Sequence, residues 1–389
     1  MQYRKFGKLD WYVSALGYGG MRLPPLNGDG TKIDLDTFCE MVHFAVDSGI
    51  NYFDNAYVYY DGKSEEALGT ALADGYREKV RIATKLPVIK VRKTDDFDRM
   101  LDEQMQRLQT GYIDFYLMHA LNASHWEKIQ RLKLLDEAEK ALADGRIGHL
   151  GFSFHDNLRT FKTIVDGYDN WTFCQIQYNY MDIDYQAGME GLKYAAARDL
   201  AVVIMEPLRG GSLANDFPAV HHLWENAATK RTPAEWSFQW LWSQPEVTVT
   251  LSGMSSMEVL KENIESANRS RVGLYDESDE ETIVQARDAL KGLSPIPCTG
   301  CEYCLPCPSG VNIPRNFIIY NGVRRYADIN RSRFDYKMWL KEAFGGKADD
   351  CIQCDACIPK CPQQIPISTW MPIVDNVLAK GEPFVDSLE

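Results

Sequence analysis

The sequence predicts an α/β chain: a closed (β/α)8 barrel over residues 1–290, then a small, mostly helical, cysteine-rich domain over residues 291–389. Three observations predict it. Short apolar, β-branched or aromatic runs alternate with amphipathic helical patterns from about residue 10 to residue 270. Strands separated by helices are parallel, and eight of them in ~260 residues suit a closed barrel. Polar residues recur at the C-terminal ends of these strands, where such barrels carry their sites. Of ten cysteines, only Cys39 and Cys174 precede residue 298; the other eight fall between Cys298 and Cys361.

The first strand is expected over residues 13–17, an apolar run ending in Gly17. Residues 37–47 carry the 3.6-residue period of an amphipathic helix, with Gly49 as its C-cap. Residues 50–54 form the second strand and end in Asp54. Gly75 closes the next helix, and residues 80–85 form the third strand, ending in Lys85. A helical pattern over 96–108 stops at Gly111 and leads to the fourth strand, 113–119, ending in His119. Residues 134–143 are helical, with Gly145 behind them, and feed the fifth strand, 148–153. Gly167 ends the following helix; the sixth and seventh strands are 173–178 and 201–206. Thr232-Pro233-Ala234-Glu235 combines a capping box with proline at the first helical position. The eighth strand is 247–251, and a second capping box, Ser255-Ser256-Met257-Glu258, opens the last barrel helix. A doubly wound open sheet is the alternative. It would favour a glycine-rich fingerprint after the first strand, from which Gly17-Tyr18-Gly19-Gly20 departs.

The charge balance narrows the function classes. With 42 Lys and Arg against 55 Asp and Glu, the net charge is −13 and no basic run occurs. That argues against nucleic acid or an anionic membrane as partner. Residues 1–11 hold no apolar stretch of the signal-peptide kind, and no run is long enough to span a bilayer, so a cytoplasmic protein is expected. Eight clustered thiols in that setting suit metal better than disulfides.

Asp54, Lys85 and His119 end three consecutive strands, and Tyr59 follows Asp54 on the next loop. Singly, each has an ordinary role: a helix cap, a solvated charge, a hydrogen-bonded structural histidine. As a set around one rim they point to a site. His125, Trp126 and Tyr18 are further rim candidates and suggest an aromatic-lined pocket.

These residues carry a family resemblance. Asn51-Tyr52-Phe53-Asp54-Asn55-Ala56-Tyr57-Val58-Tyr59, Ser64-Glu65-Glu66-Ala67-Leu68-Gly69, Ala83-Thr84-Lys85 and Asp114-Phe115-Tyr116-Leu117-Met118-His119 resemble the aldo-keto reductases in residue, order and strand position. The resemblance covers residues 1 to about 270. It implies a TIM barrel with a catalytic tetrad of Asp54, Tyr59, Lys85 and His119, and NADP or NAD as the hydride carrier for a small-molecule carbonyl. The chemistry suits the residue types. A carbonyl that accepts hydride needs a proton, but an unperturbed phenol titrates near ~10. A neighbouring ammonium favours the phenolate, which gives Lys85 its role, and Asp54 holds Lys85. His119 would orient the substrate oxygen. Tyr57 and Tyr60 are rival acids; the family's spacing favours Tyr59.

The resemblance also assigns cofactor contacts. Ser153 and Gln175 match positions that hold the nicotinamide carboxamide. Leu208-Arg209-Gly210-Gly211 would wrap the pyrophosphate with backbone N–H groups, through Leu208 and Gly211. The helix start at Ser255 is an anion site. Glu262 and Asn263 match adenine contacts. Phe154 replaces the usual amide and Met205 the frequent aromatic platform. Positions that often carry 2′-phosphate cations hold Gly253, Met254 and Val259, which leaves NAD and NADP both open.

The tail carries an internal repeat. Cys298-x2-Cys301-x2-Cys304-x2-Cys307-Pro308 is followed by Cys351-x2-Cys354-x2-Cys357-x3-Cys361-Pro362. The second is the bacterial ferredoxin run; the first is one residue shorter before its last cysteine. The pair resembles a dicluster 4Fe–4S ferredoxin, in which each fourth cysteine ligates the other cluster. Two 4Fe–4S clusters are implied, one on Cys298, Cys301, Cys304 and Cys361, the other on Cys351, Cys354, Cys357 and Cys307. A zinc site with four thiolate ligands is the alternative, but three cysteines at two-residue spacing before Cys-Pro is not the usual ribbon pattern. Residues 312–344 read as helix, and Phe317, Phe334, Trp339, Phe344 and Trp370 are expected to be buried.

The expected function is thus an NAD(P)H-linked oxidoreductase joined to an iron–sulfur module. Two readings compete: an electron-transfer protein with the barrel as docking scaffold, and a reductase with structural clusters. A redox partner protein is a possible third party. A flavin would reconcile hydride with one-electron carriers, but no flavin motif is seen.

Overall fold

The structure, a computed structural model, describes residues 1–291, 293–325, 328–339 and 345–388. The chain packs into two compact units: residues 1–207 with 235–275, and residues 208–234 with 276–389. The segments 208–234 and 276–290, which precede the expected boundary at 290, thus pack with the tail.

In the first unit, eight parallel strands close into a barrel. They are β1 (Leu16–Gly19), β2 (Tyr52–Asp54), β3 (Arg81–Leu86), β4 (Ile113–Leu121), β5 (Ile147–Phe154), β6 (Phe173–Gln177), β7 (Ala201–Met205) and β8 (Val249–Ser252). Thr250 opposite Leu16 joins β8 to β1 and closes the ring. The first strand differs from expectation. Residues 13–17 span two elements: Tyr12–Ser14 pairs antiparallel with Tyr3–Lys5, and the barrel strand starts at Leu16. Ala15 is apolar, so the junction leaves no mark in the hydropathy. The hairpin carries Phe6, which plugs the N-terminal mouth of the barrel. Its ring lies 4.6 Å from Phe115 and 5.6 Å from Phe173. Gly151 makes that packing possible, since a Cβ there would stand 2.5 Å from the Phe173 ring.

Helix ends follow capping chemistry. Asp34 caps α1 (Leu35–Asp47) by accepting from Thr37 N at 3.1 Å. Ser256, not Ser255, caps the last barrel helix, Met257–Asn268, accepting from Val259 N at 3.3 Å. Gly49, Gly75 and Gly145 adopt the left-handed conformation expected of C-caps, whereas Gly111 and Gly167 do not. Gly167 is small for another reason: a Cβ would lie 2.6 Å from the Trp126 indole.

The second unit is mostly helical. Pro218–Asn226 and Glu277–Leu290 belong to it, and Arg231 donates to both oxygens of Asp279 at 2.7 and 2.9 Å. The expected 312–344 helix is two helices, Ile313–Arg325 and Ile329–Trp339; residues 326–327 and 340–344 lie outside the described residues. These helices and Ile367–Leu378 enclose a core of Phe317, Tyr320, Trp370, Met371 and Val374. Phe317 and Trp370 are buried as expected, but Phe334 is 60% exposed. The Trp339 side chain and Phe344 lie outside the described residues. No described helix is long and apolar enough to cross a membrane.

Candidate active site and cysteine cages

The site residues stand where the barrel places them. Asp54 is the last residue of β2, Lys85 the fifth of β3, and His119 lies near the end of β4. Lys85 Nζ donates to Asp54 Oδ1 and to the Asn55 carbonyl, each at 2.6 Å. Both side chains are buried. Burial pulls the Lys85 ammonium below its usual range, and the Asp54 carboxylate opposes that pull. Tyr59 opens a short turn, Tyr59–Gly62, directly after β2. The Lys85 ammonium lies 5.3 Å from the Tyr59 ring centroid, and the His119 ring 6.3 Å away in an edge-on arrangement. Burial and Lys85 hold His119 well below its ordinary pKa, so its imidazole is neutral.

The rival phenols are committed elsewhere. Tyr57 Oη donates to Glu103 at 2.5 Å beneath the Arg107 guanidinium, and Tyr60 Oη accepts from Leu23 N at 3.2 Å. Tyr60 and Asp61 both take positive φ, at 49° and 53°. Two consecutive non-glycine residues in this region store strain of order 1–3 kcal/mol each, a cost found typically at functional sites.

Behind Lys85 lies a buried network that sequence reading missed. Glu65 accepts from Thr84 Oγ1 at 2.6 Å, Gln104 Nε2 at 2.7 Å and Arg107 at 3.1 Å. Gln104 also donates to the Lys85 carbonyl at 3.2 Å. The available signal was Glu65 and Gln104 on helical faces that should otherwise be apolar. Glu65 and Gln104 thereby fix the backbone that carries the ammonium.

Ser153 Oγ, at the end of β5, accepts from Ala120 N at 2.8 Å. Gln175, on β6, donates from Nε2 to Asp54 Oδ2 at 3.4 Å, while its buried Oε1 has no partner. An orphaned acceptor beside Asp54 fits the N–H of a carboxamide, so these residues suit a nicotinamide. Asn263 is buried and donates to Ser252 Oγ at 3.1 Å, tying the last barrel helix to β8. Glu262 and Gly253 are exposed. Arg22 packs against Gly253, with its Cβ 3.1 Å from where a Gly253 Cβ would stand. Leu208 and Gly211 lie in the second unit, in a turn where Arg209, Gly210 and Gly211 all have positive φ, at 49°, 69° and 88°.

The three further rim candidates are all packed or hydrogen-bonded within the fold. Tyr18 is buried and donates to the Met254 carbonyl at 3.0 Å; Trp126 is buried beside Trp171; His125 Nδ1 bonds the Ala120 carbonyl at 2.8 Å. Packing and backbone contacts account for all three.

None of the ten cysteines is in a disulfide. The eight in the tail gather into two sets of four. Cys304 is buried within electrostatic reach of Cys298, Cys301 and Cys361. Cys307, Cys351, Cys354 and Cys357 line one cavity with Val311 and Ile367. Among the described residues no three Cys, His, Asp or Glu converge as tightly as a single ion requires; a cubane spreads its ligands more widely. Burial pushes the Cys304 and Cys357 thiols up, and the neighbouring sulfurs push the same way. Two four-thiol sets, each drawing its fourth member from the other run, fit the donor chemistry of iron–sulfur clusters.

Comparison with known proteins supports both parts. The 4Fe-4S dicluster domain model matches residues 297–365. A probable aldo-keto reductase of Glycine max is 25% identical over 299 residues, covering 67% of this chain and 82% of that protein. An uncharacterised oxidoreductase of Bacillus subtilis is 28% identical over 240 residues, covering 55% of this chain and 68% of it. The fold matches that of a Klebsiella pneumoniae aldo-keto reductase solved in complex with NADPH, with TM-score 0.59 and 21% identity over 72% of this chain and 93% of that one. The aldo/keto reductase family model matches residues 15–278, the whole run of barrel strands and most of the chain, and the protein therefore belongs to the aldo/keto reductase family.

Proposed function

We propose that the protein is an NAD(P)H-dependent reductase of small-molecule carbonyls, with two 4Fe–4S clusters held in its C-terminal unit. The observation that carries this is the buried Lys85–Asp54 pair at 2.6 Å beside Tyr59 and His119. NAD(P)H, when bound, would supply hydride chemistry to a carbonyl carbon. The Tyr59 hydroxyl gives its proton to the carbonyl oxygen, and solvent restores it. Lys85 favours the phenolate left behind, which lowers the barrier where charge develops. Asp54 and the Asn55 carbonyl hold Lys85 in place. Neutral His119 donates a hydrogen bond to the substrate oxygen and fixes its angle. Gln175 and Ser153 would hold a nicotinamide carboxamide, Leu208 and Gly211 would offer backbone N–H groups to a pyrophosphate, and Gly253, Glu262 and Asn263 would serve the adenosine. The Klebsiella relative's complex with NADPH supports NADP.

Cys298, Cys301, Cys304 and Cys361 would hold one cluster, and Cys351, Cys354, Cys357 and Cys307 the other. Cys354 is exposed beside Ile352, itself 70% exposed, which supports access for a redox partner protein.

The test is NAD(P)H oxidation with a panel of aldehydes and ketones. Tyr59→Phe should lower kcat by about 10²–10⁴ with little change in cofactor affinity. Tyr57→Phe should retain most activity. Full activity in Tyr59→Phe would refute the assignment.

A further inference from the structure

The loop expected to bind pyrophosphate and the first ligand loop of the cysteine-rich region belong to the same compact unit. They touch through backbone. A Cβ on Gly210 would stand 1.9 Å from the Thr299 carbonyl oxygen, so only glycine lets the two segments approach this closely. Gly210 also has φ +69°, a second reason for glycine there. Thr299 is buried and lies between Cys298 and Cys301. The ligand loop is itself braced: Asn321, buried on the helix Ile313–Arg325, donates to the Ile296 carbonyl at 2.6 Å and accepts from Ile296 N at 3.1 Å. A second strut runs in parallel. Arg325 donates to Ser294 Oγ at 2.9 and 3.2 Å, with its guanidinium 5.9 Å from the Phe217 ring centroid. The 208–217 segment is thus seated on the cysteine-rich fold.

We infer that the cluster site on Cys298, Cys301, Cys304 and Cys361 and the 208–211 loop are thermodynamically coupled through the Gly210–Thr299 contact, so that reduction of that cluster weakens binding of a pyrophosphate at the loop. The inference rests on the reading of residues 208–211 as the pyrophosphate loop. Its sign follows from charge. Reduction adds one negative charge behind Thr299, while the ligand brings an anionic pyrophosphate to the other side of the contact. Like charges oppose, so the oxidised protein binds more tightly. Linkage is reciprocal: whatever affinity reduction removes, ligand binding takes from the potential of that cluster.

The test uses the full-length, anaerobically prepared holoprotein and ADP-ribose, which carries the pyrophosphate but no nicotinamide to react. Calorimetry on oxidised and dithionite-reduced protein should show about tenfold weaker binding after reduction. An EPR-monitored redox titration should then show one cluster signal lowered by about 59 mV with saturating ADP-ribose, the one-electron equivalent of tenfold, and the other unmoved. Gly210→Ala, with unchanged iron and sulfide content, should lose affinity and the shift together. Equal affinity in both redox states with unmoved potentials would overturn the coupling and leave the reductase reading standing. Failure of both ADP-ribose and NADPH to bind the wild type would overturn both.

Discussion

Removing the carboxylate from the buried pair, by Asp54→Asn, is the most informative single change. Lys85 Nζ and Asp54 Oδ1 are 2.6 Å apart and both buried. At an effective dielectric of ~20, their attraction is roughly 6 kcal/mol, most of it offset by the cost of desolvating both groups. Asparagine keeps the shape but leaves an ammonium with the Asn55 carbonyl as its remaining close acceptor. Stranding one buried charge costs about 3–5 kcal/mol. For a domain of this size that lowers Tm by roughly 10 °C. Replacing both members, as Asp54→Asn with Lys85→Met, should recover most of the loss, because no charge is then stranded. The assay is anaerobic thermal unfolding of wild type, both single variants and the double variant at pH 7. Since the two units need not melt together, barrel helicity and cluster absorbance should be followed separately. The single variant should also regain stability relative to wild type as pH rises, since Lys85, already lowered by burial, then sheds its proton. Were Asp54→Asn to unfold within ~1 kcal/mol of wild type, and the double variant below both singles, the pair would not be the buried ion pair described.

Anaerobically purified protein should contain about eight iron and eight acid-labile sulfide per chain, and Cys354→Ser should lose about half of each. Stoichiometric zinc without sulfide would contradict this. The pH dependence of the barrel should also be visible. His119 and His155 are both held below their ordinary values by burial, His155 to about 4. A native state that stays neutral while the unfolded chain takes up protons loses stability as pH falls below ~6.5, and for His155 the loss continues down to about 4. Tm at pH 5 should therefore fall below that at pH 7, and His155→Gln should flatten the slope. An equal slope in that variant would count against it.

The barrel was legible because its signals are local. Alternating apolar runs and helix caps set the element order, and polar residues at strand ends marked the rim. The first strand was misread because Ala15 bridges two runs that belong to different sheets. Gly167 looked like a C-cap yet is small to admit Trp126, a contact between residues 41 apart in sequence. Asp54, Lys85 and His119 could be placed on one rim from residue type and strand position, whereas the tetrad and the choice of Tyr59 came from the resemblance to the aldo-keto reductases. What excuses Tyr57 and Tyr60 is not local: Glu103 and Leu23 reach them from other elements. The same holds for Glu65 and Gln104, whose partners lie 12 to 42 residues away. The cysteine spacing gave each cage three members, and the crossed fourth needed the ferredoxin pattern. The seat of the 208–217 segment on the tail had no sequence signal, because Gly210-Gly211 reads equally well as any tight turn.

The central claim is hydride transfer to a carbonyl within the barrel, and an isotope settles it most directly. The full-length protein should be given stereospecifically 4-deuterated NAD(P)H and an accepted aldehyde, and the alcohol examined by mass spectrometry and proton NMR. One deuterium on the former carbonyl carbon, from one face of the nicotinamide and lost with Tyr59→Phe, is the expected result. Alcohol without deuterium, or cofactor oxidation whose electrons appear only in bleached clusters with no alcohol formed, would contradict the account.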